Sequence, residues 1–492
     1  MSLPPGEAGA GSPRLDQRLL APARARPDAV LLQVGEWQLT GRALVELVDS
    51  TCQGLARQGL GAGDFLGWLG HNSAAMLATL MACSRLGAVF VPLNWRLAAP
   101  ELAAISRHAG LSALLNTPEL QALADAVRQL APPSGPAEPA WPGDLMLVYT
   151  SGTTGQPKGA MHTQPGMLAN LDMAIGVQGL TAADRVLGVL PMFHVGGLCI
   201  QVLPALAVGA ALKLQARFDA AAWLADVATW RPSTSLLVPA VMQALLAQPD
   251  WAAAELSSLR FVNSGSQVVP LALIQAFHAR GVPVTQVYGS TETGPVSIAL
   301  QPDRALAQAG SVGRPAPGVR LRLVDAQGQD VAPGAVGEIW LQAPNLMRGY
   351  HRQPAGAGFV DGWFASGDLA RVGRDGWLTV VGRSQDLIIS GGENIHPAEI
   401  ENLALAWPGV AEAAVVGLPD ARWGEVPVLV LVAQVGQAID LVGLRALFDA
   451  QLARFKHPRQ ILLLGALPRT ALGKVQKAQL VARLQADPRD VV

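Results

Sequence analysis

Cysteine is scarce in this sequence, which has only Cys52, Cys83 and Cys199 among its 492 residues. The three lie far apart and none belongs to a CxxC pair, so neither a disulfide framework nor a zinc ribbon is indicated. A thiol nucleophile is the functional alternative, but free cysteines more commonly serve as small buried hydrophobic side chains. Such sparse usage is typical of a reducing compartment and predicts a cytoplasmic protein.

An excess of either charge is also absent, since the formal net charge is −1 and charged residues make up 15% of the chain. Neither a basic surface for nucleic acid nor an acidic tail is therefore expected. Hydrophobic residues make up 50% of the chain. That share is enough for a large buried core, and the length allows more than one domain.

Uninterrupted apolar runs of membrane-spanning length are missing. The stretch 74–93 contains Arg85, and the stretch 196–212 contains Gln201 and Pro204. A span prefers about 20 apolar residues in a row, and the first residues show no apolar segment of the signal-peptide kind. Both stretches are predicted to be core helices and strands, and no integral membrane segment is expected.

Lysine is rare, which makes its positions informative. The chain has five lysines, Lys158, Lys213, Lys456, Lys474 and Lys477, and all its other Lys and Arg positions are arginine. A lysine inside a motif therefore indicates a need for a compact, strongly hydrated point charge rather than for any cation. Two of the five, Lys158 and Lys474, lie directly next to a glycine within a motif.

Short β-rich runs alternate with alanine- and leucine-rich stretches, which predicts a mixed α/β fold of layered β-sheets flanked by helices. Strands separated by Gly, Pro and Asp turns follow from about 318 and predict a small antiparallel subdomain. We expect an N-terminal domain over 1–382, a hinge near 383–386, and a small mobile α+β C-terminal domain over 386–492. The individual predictions are strands over 145–150, 234–239, 259–265 and 283–289, and helices over 219–230 and 240–248.

The segment 150–159, TSGTTGQPKG, directly follows the apolar run LMLVYT. Its glycines let backbone N–H groups converge on an anion, its hydroxyls add donors, and Lys158 adds positive charge. It is not a Walker A loop, because GxxxxGK[ST] is absent, and a flexible Ser/Gly loop would have no need of a rare lysine. The residues predicted to bind a polyphosphate are Thr150, Ser151, Gly152, Thr153, Thr154, Gly155 and Lys158.

TSGTTGQPKG resembles the phosphate-loop signature of the adenylate-forming superfamily, which includes acyl-CoA synthetases, nonribosomal adenylation domains and beetle luciferases. The superfamily's other motifs follow in its order, and the resemblance covers nearly the whole chain. It implies that ATP converts a carboxylic acid to an acyl-adenylate and that coenzyme A then takes the acyl group. ATP, Mg²⁺ and coenzyme A are the cofactors so implied. The expected partners are small molecules, and a homodimer is left open.

YGSTETG, 288–294, resembles the superfamily's aromatic-Gly-x-Thr-Glu segment. The resemblance implies that Tyr288 stacks on adenine beside Gly289. It also implies that Thr291 contacts the α-phosphate and that Glu292 helps to hold Mg²⁺, an ion that often uses one protein carboxylate beside substrate phosphates. Alone, a Thr-Glu pair would more often be a helix cap.

Two further motifs resemble superfamily segments with a ribose contact and a catalytic lysine. Asp368 in DGWFASGDLA matches an aspartate that accepts hydrogen bonds from both ribose hydroxyls, although a turn-forming Asp is the structural alternative. Lys474 in PRTALGKVQK matches the lysine of the adenylation step. Two anions, carboxylate and ATP, must meet there, and a mobile ammonium would stabilise the charge that develops.

GRSQDLIISGGENIHP, 382–397, resembles the superfamily's interdomain hinge. By that resemblance Arg383 reaches the ribose or phosphate, and Gln385 holds the hinge position where relatives often have Asp or Lys. Gly391 and Gly392 would line the pantetheine tunnel, although an ordinary glycine turn is the alternative. The Gln385 departure is modest, because a hinge needs a rotatable backbone more than a given side chain.

The acid pocket is expected to lie in PMFHVGG, 191–197, and NSGSQVVP, 263–270. His194 fits either a catalytic base or a pocket wall or gate, and an acid ionised at neutral pH needs no base. Ser266 and Gln267, near adenine and the acyl chain, depart from the Ser-Gly-Gly-Ala-Pro-like sequence of relatives. The predicted pocket residues are Phe193, His194, Gly196 and Gly265.

The sequence therefore predicts an acyl-CoA synthetase whose catalytic residues are Lys474, Thr291 and Glu292. No acidic residue in 193–200 is placed to pair with an α-amino group, which favours a fatty or aromatic acid over an amino acid. Two alternatives stay open: a stand-alone adenylation enzyme that loads a carrier protein, and a non-catalytic nucleotide-binding relative. The complete set of Thr291, Glu292, Asp368 and Lys474 argues against the second.

Overall fold

A computed structural model describes residues 13–136, 140–150, 158–391, 393–469 and 474–486. Within these residues the chain forms four β-sheets with helices packed against them. The α/β class is confirmed: layered sheets and an antiparallel subdomain form the larger N-terminal part, and a small α+β unit follows. The limits of the two domains and the hinge stay predictions.

The strands of the described residues are numbered in chain order. They are β1 Val30–Val34, β2 Trp37–Thr40, β3 Phe65–Leu69, β4 Val89–Leu93, β5 Ala113–Asn116, β6 Asp144–Thr150, β7 Lys158–Thr163, β8 Arg185–Gly188, β9 Ala211–Leu214, β10 Thr234–Leu237, β11 Phe261–Gly265, β12 Val284–Tyr288, β13 Ile298–Ala299, β14 Arg314–Pro315, β15 Arg320–Val324, β16 Val336–Gln342, β17 Gly349–Tyr350, β18 Phe359–Val360, β19 Trp363–Val372, β20 Leu378–Arg383, β21 Ile388–Ser390, β22 Glu393–Ile395, β23 Val410–Asp420, β24 Gly424–Ala433 and β25 Gln460–Leu463.

Several helices begin at a polar side chain that accepts a hydrogen bond from the first turn. Ser73 Oγ accepts from the N–H of Met76 at 3.2 Å, and Asp219 Oδ1 accepts from that of Ala222 at 2.7 Å. The α-helices of the described residues are numbered in chain order. They are α1 Leu15–Ala25, α2 Gly41–Arg57, α3 Ala74–Leu86, α4 Ala99–Ala109, α5 Gln121–Leu130, α6 Gln164–Gln178, α7 Val195–Gly197, α8 Leu203–Val208, α9 Ala220–Thr229, α10 Pro239–Leu246, α11 Leu271–His278, α12 Pro397–Leu405, α13 Leu441–Gln451 and α14 Lys477–Ala486.

Two large sheets build the N-terminal part. The first has nine strands, of which β12, β11, β10, β8, β9 and β1 run parallel in that order, with β13, β14 and β2 antiparallel at its edges. The second has the order β17-β7-β6-β4-β3-β5 and is antiparallel only where β6, β7 and β17 meet. Because parallel strands end at one edge of a sheet, the loops that follow them gather there and can form a ligand site.

The main core contains side chains from both large sheets, including Leu32 and Leu212 of the first and Phe90 and Met146 of the second. All residues of β3 and β4 are buried, as expected for apolar runs in parallel strands. The apolar stretch 74–93 forms α3 and β4, so its prediction as core is confirmed. Among the residues that the structure describes, no helix is long and apolar enough to cross a membrane.

The third sheet is antiparallel, in the order β15-β16-β19-β18, with β20 paired to β19. This confirms the antiparallel subdomain predicted after about 318. Its register places Asp368 of β19 opposite Arg383 of β20. Opposite charges on neighbouring strands stabilise this pairing, and the pair lies at the candidate site described below.

The fourth sheet, β22-β21-β24-β23 with β25 parallel to β24, belongs to the C-terminal unit. Alternate residues of β24 point to opposite faces, so Leu429 and Leu431 belong to one core while Val428 and Val430 belong to another. Helices α12 and α13 cover the first face, and Leu480 of α14 packs on the second. The unit thus has cores of its own on both sides of its sheet.

Candidate active site

The loops that follow the parallel strands of the nine-stranded sheet carry several of the predicted site residues. Phe193 and His194 follow β8, Ser266 follows β11, and Thr291 follows β12. These strands are neighbours or near neighbours in one sheet, so their carboxyl ends share an edge. Residues separated by about a hundred positions in the sequence are thereby brought to one place.

A tight turn after β12 presents Thr291 and Glu292. The side chain of Thr293 accepts a hydrogen bond from the N–H of Ser290 at 2.9 Å, which closes the turn at its start. Gly289 must be glycine, because an added Cβ would lie 1.7 Å from the carbonyl oxygen of Pro295. Thr291 is buried, whereas Glu292 is partly exposed, so the carboxylate is the more accessible group of the pair.

Asn345 holds this turn from behind. It is fully buried, and its Nδ2 donates to the carbonyl oxygens of Thr293 at 2.6 Å and Val296 at 2.8 Å. The N–H of Met347, two residues later, donates to the carbonyl of Glu292 at 2.7 Å. Because each of these bonds satisfies a buried backbone carbonyl or fixes the segment, the position of Glu292 is set by the fold and not by its own turn alone.

Tyr350 of β17 joins Glu292 to the strand that carries Lys158. Its hydroxyl donates to Glu292 Oε1 at 2.8 Å, and Lys158 Nζ lies 5.5 Å from the centroid of its ring. Burial, reinforced by the Glu292 charge, raises the pKa of Tyr350 well above its usual range. The phenol therefore stays protonated and acts as a donor, which leaves the other oxygen of Glu292 for a further contact.

Asp368 makes one hydrogen bond and one ion pair at the adjoining edge of the third sheet. Tyr288 donates its hydroxyl to Oδ2 at 2.8 Å, and Arg383 Nε lies 2.9 Å from Oδ1. Burial raises the pKa of Asp368, and the Arg383 cation opposes that rise. The Asp368 carboxylate in turn raises the pKa of Arg383. The structure thus brings together three residues that the sequence singled out in three separate motifs.

Lys474 reaches this cluster from the C-terminal unit. Its ammonium is close enough to Arg383, Asp368 and Glu292 for each to influence its pKa, and burial followed by the Arg383 charge lowers that pKa. The two carboxylates act in the opposite direction. The lysine therefore lies within electrostatic reach of both carboxylates of the site. Its role in the adenylation step stays a prediction.

Phe193 and His194 lie in a loop fixed by Asn72, which follows β3 of the other large sheet. Asn72 is buried, accepts from the N–H of Met192 at 2.8 Å and donates to the carbonyl of Leu190 at 2.9 Å. His194 Nδ1 accepts from the N–H of Gly196 at 3.0 Å. Burial, and then the nearby Lys474, lower the pKa of His194 to about 4.

A pKa of about 4 makes His194 a weak proton acceptor, which favours the wall or gate interpretation over the base. We expect the ratio of kcat/KM between the wild type and His194→Phe to stay constant from about pH 8 to about pH 5.5, because an ordinary histidine titrates near 6.5 but this one does so only toward 4. The measurement is initial-rate AMP release across that range. An inflexion of the ratio near pH 6.5 would contradict the assignment.

Gly265, Ser266 and Gln267 lie at the end of β11. Gly265 is buried and pairs with Val287 of β12, and an added Cβ would meet the carbonyl oxygen of that residue at 2.4 Å. Ser266 has a left-handed backbone with φ 74°, and both it and Gln267 are exposed. The strand therefore ends abruptly at the sheet edge that carries the site, and the roles of the three residues stay predictions.

The predicted phosphate loop is described only at its two ends. Thr150 of β6 and Lys158 of β7 pair across the hairpin, and Thr150 Oγ1 donates to the carbonyl of Lys158 at 3.5 Å. Both ends belong to the hairpin that pairs with Tyr350. Six predicted site residues lie outside the described residues. They are Gly392 of the predicted pantetheine tunnel and, in the phosphate loop, Ser151, Gly152, Thr153, Thr154 and Gly155.

Gly391 and Gln385 lie at the start of the C-terminal unit. Gly391 has φ 59°, and an added Cβ would approach the ring of Trp423 within 2.6 Å, so both backbone and space require glycine. Its N–H donates to the carbonyl of Trp423 at 2.8 Å. Gln385 is exposed in a short turn of helix, Ser384–Asp386, between β20 and β21. The hinge and tunnel roles stay predictions.

Among the residues that the structure describes, no group of three or more His, Cys, Asp or Glu side chains could hold a metal ion. Glu292 instead offers one carboxylate oxygen, next to the hairpin of the phosphate loop. This arrangement fits Mg²⁺, which is commonly held by one or two carboxylates together with substrate phosphates.

The sequence analysis did not predict three residues that shape the site: Tyr350, Asn345 and Asn72. For the two asparagines no signal was available, since their partners are backbone atoms far along the chain. A sequence signal did exist for Tyr350, because the chain contains only three tyrosines, Tyr149, Tyr288 and Tyr350. All three lie at the site or on the hairpin of the phosphate loop, just as two of the five lysines do.

Comparison with known proteins places these motifs in a family context. The AMP-binding enzyme family matches residues 20–351, and the AMP-binding enzyme C-terminal domain matches residues 399–474. An indoleacetate–CoA ligase of Aromatoleum aromaticum is 43% identical, with 94% of this chain and 97% of the relative covered. A feruloyl-CoA synthase of an Amycolatopsis species is 40% identical with the same coverage. A solved anthranilate CoA ligase in complex with anthranoyl-AMP superposes with a TM-score of 0.89 at 26% identity, covering 96% of this chain and 98% of its own.

Proposed function

Because the chain belongs to the AMP-binding enzyme family, we propose that it activates an aromatic carboxylic acid with ATP and transfers the acyl group to coenzyme A. As an AMP-forming acid–thiol ligase, the enzyme takes ATP and coenzyme A as substrates. The aromatic ring of the acid is the finer part of the proposal. It is supported by the acids named for the relatives, which are indoleacetate, ferulate and anthranilate.

One observation carries the mechanism. Lys474 of the C-terminal unit lies within electrostatic reach of Asp368 and Glu292 of the larger part. A site that must join two anions, the carboxylate and ATP, needs a cation at their meeting point. The position of Lys474 supports its assignment to the first half-reaction.

In that half-reaction we assign nucleotide binding to Tyr288 and Asp368. Adenine would stack on the Tyr288 ring, and the Asp368 carboxylate would accept from the ribose hydroxyls beside its two present donors. A carboxylate oxygen of the acid attacks the α-phosphorus, and the bond from that phosphorus to the bridging oxygen of pyrophosphate breaks. We assign to Lys474 and Thr291 the stabilisation of the charge that develops on the α-phosphate.

Mg²⁺ would be held by Glu292 together with the phosphates of ATP, and it would neutralise phosphate charge during departure of pyrophosphate. Tyr350 keeps the carboxylate of Glu292 oriented by donating to its Oε1. Lys158, stacked over the same ring, adds a cation next to the predicted loop. These contributions need no change in the protonation of any of the three side chains.

In the second half-reaction the thiol of coenzyme A must reach the acyl carbon. The thiol gives up its proton to solvent, and the thiolate attacks that carbon. The bond to the phosphate oxygen of AMP breaks, and AMP leaves with the electron pair. By analogy with the superfamily we propose that the C-terminal unit turns about Gln385, which withdraws Lys474 and presents the Gly391 face. Rotation is reasonable because one cleft then serves two nucleophiles in turn.

The test is AMP release from the purified protein with ATP, Mg²⁺ and a panel of aryl and straight-chain acids, with and without coenzyme A. We expect turnover that requires coenzyme A, is abolished by a metal chelator, and is fastest with an aryl acid. Faster turnover of straight-chain acids would remove the aromatic part of the proposal. No AMP with any acid would refute the whole proposal and revive the non-catalytic alternative.

The same assay distinguishes a ligase that uses coenzyme A from the alternative, an enzyme that loads a carrier protein. Pyrophosphate exchange that coenzyme A cannot convert into turnover, but that a phosphopantetheinyl carrier can, would favour it. The cytoplasmic location and the homodimer left open by the sequence stay predictions.

A further inference from the structure

The hairpin of the phosphate loop has two faces with different neighbours. Side chains alternate along a strand, and paired residues on adjacent strands share a face. Tyr350 pairs with Ala160, two residues from Lys158, so Tyr350 and Lys158 share the face that looks toward Glu292. Tyr149 pairs with Gly159 and therefore lies on the opposite face.

That opposite face is bound to helix α4 through His108. The Tyr149 hydroxyl and His108 Nδ1 are joined by a hydrogen bond of 2.7 Å, and their rings meet edge to face at 5.6 Å. The next aromatic contact runs from His108 to His351, with ring centroids 5.5 Å apart. His351 in turn lies 5.3 Å from the ring of Phe65 in β3. One face of the hairpin is thus connected to Glu292, and the other face to α4 and β3.

His351 also binds the hairpin through its backbone. Its N–H donates to the carbonyl of Gly159 at 2.7 Å, next to Lys158. Tyr149 directly precedes Thr150, the other end of the loop. The polar cluster therefore contacts the strand residue just before the loop and the strand just after it.

The cluster is built to be neutral. Burial, and then the Arg352 cation, lower the pKa of His108. Burial, followed by the charges of His108 and Arg352, lowers the pKa of His351 to about 4, with a smaller contribution from Arg348. Burial raises the pKa of Tyr149 beyond its usual range. Neutral groups that hydrogen-bond to each other in a partly buried place hold a fixed geometry without the cost of burying charge.

We propose that Tyr149 and His108 are positioning residues for ATP: their hydrogen bond holds the phosphate-loop hairpin against α4, so that Lys158 and Tyr350 face Glu292. The inference rests on the proposed ATP-binding role of this loop. Neither residue touches substrate, and their effect is transmitted through the two strands of the hairpin. The step that depends on them is the binding of the ATP polyphosphate, because thioester formation uses no β- or γ-phosphate.

Tyr149→Phe tests this directly, since it removes the hydroxyl and keeps the ring. We expect KM for ATP, and the Kd for ATP in a direct binding titration, to rise about three- to tenfold, in line with the usual worth of one hydrogen bond. KM for the acid and for coenzyme A should change by less than about twofold. Thioester formation from supplied acyl-adenylate should be unchanged. His108→Leu should act like Tyr149→Phe, and the double variant should be no worse than either, because both remove one interaction.

Two variants separate positioning from general stability. His108→Gln retains a side chain that can bond to the hydroxyl, so it should bind ATP nearly as well as the wild type. Ser106→Ala removes another buried hydrogen bond of α4, from Oγ to the carbonyl of Leu102 at 2.8 Å, and should leave ATP binding unchanged.

An unchanged Kd for ATP in Tyr149→Phe and His108→Leu would overturn the proposal. So would an equal loss of affinity for all substrates together with a fall in melting temperature like that of Ser106→Ala. The binding titration needs no turnover, so the Kd for ATP can be measured even if the protein activates none of the acids. Failure of the proposed function is thus distinguished from failure of the positioning role.

Discussion

Lys474→Ala is expected to abolish adenylation while thioester formation from supplied acyl-adenylate continues. The lysine lies within electrostatic reach of Asp368 and Glu292, where we propose that carboxylate and ATP meet. Loss of a charge-stabilising donor at the reacting phosphate costs about a hundred- to a thousandfold in rate. The second step needs no such cation at that point, because the acyl-adenylate is already formed.

The two half-reactions are measured separately, by pyrophosphate exchange and by acyl-CoA formation from synthetic acyl-adenylate. Lys477→Ala is the matched control, since Lys477 belongs to the same segment but is bound to Glu401 at 2.8 Å within the C-terminal unit. It should retain both steps. Equal loss of the two half-reactions in Lys474→Ala would contradict the division of labour between the two orientations.

Asp368→Asn is expected to lower kcat/KM for ATP by about ten- to a hundredfold, because hydrogen bonds to a charged group are worth about 1.5–3 kcal/mol. Asparagine keeps the shape but has one acceptor oxygen, and Tyr288 and Arg383 already compete for acceptors there. The variant also leaves the partly buried Arg383 without its carboxylate. A smaller effect on KM for the acid follows, since the acid does not contact this residue.

Use of 2′-deoxy-ATP makes this prediction specific. The wild type should prefer ATP over the deoxy analogue, and the preference should largely disappear in Asp368→Asn, because the acceptor of the missing hydroxyl is gone. Asp330→Asn is the control: it removes the exposed Asp330–Arg322 pair, 2.7 Å, from the same antiparallel sheet and should leave ATP use unchanged. A full preference for ATP in the Asp368 variant would exclude the ribose assignment.

Much of the secondary structure was predictable from local patterns. The predicted strands over 145–150 and 283–289 and the helix over 219–230 correspond to β6, β12 and α9 within one or two residues at each end. These segments have apolar runs bounded by turn residues, so short-range preferences and tertiary structure agree. Strand pairing was out of reach, because β17 joins β7 from almost two hundred residues away and no local pattern specifies that contact.

In the candidate site, too, some features could be predicted from the sequence and others could not. Glycines in motifs and the scarcity of lysine drew attention to Lys158 and Lys474. The resemblance to the adenylate-forming superfamily singled out Glu292 and Asp368. The sequence by itself determined the α/β class, the order of the motifs and the chemical groups available for phosphate and carboxylate.

Only the tertiary structure decided which of those groups meet. Tyr350 reaches Glu292 across 58 positions and Tyr288 reaches Asp368 across 80, while Lys474 arrives from a separate unit. The physical reason is that hydrogen bonds and ion pairs depend on distances of about 3 Å. Sheet order, strand register and domain placement set those distances, and none of the three can be read from the neighbouring sequence.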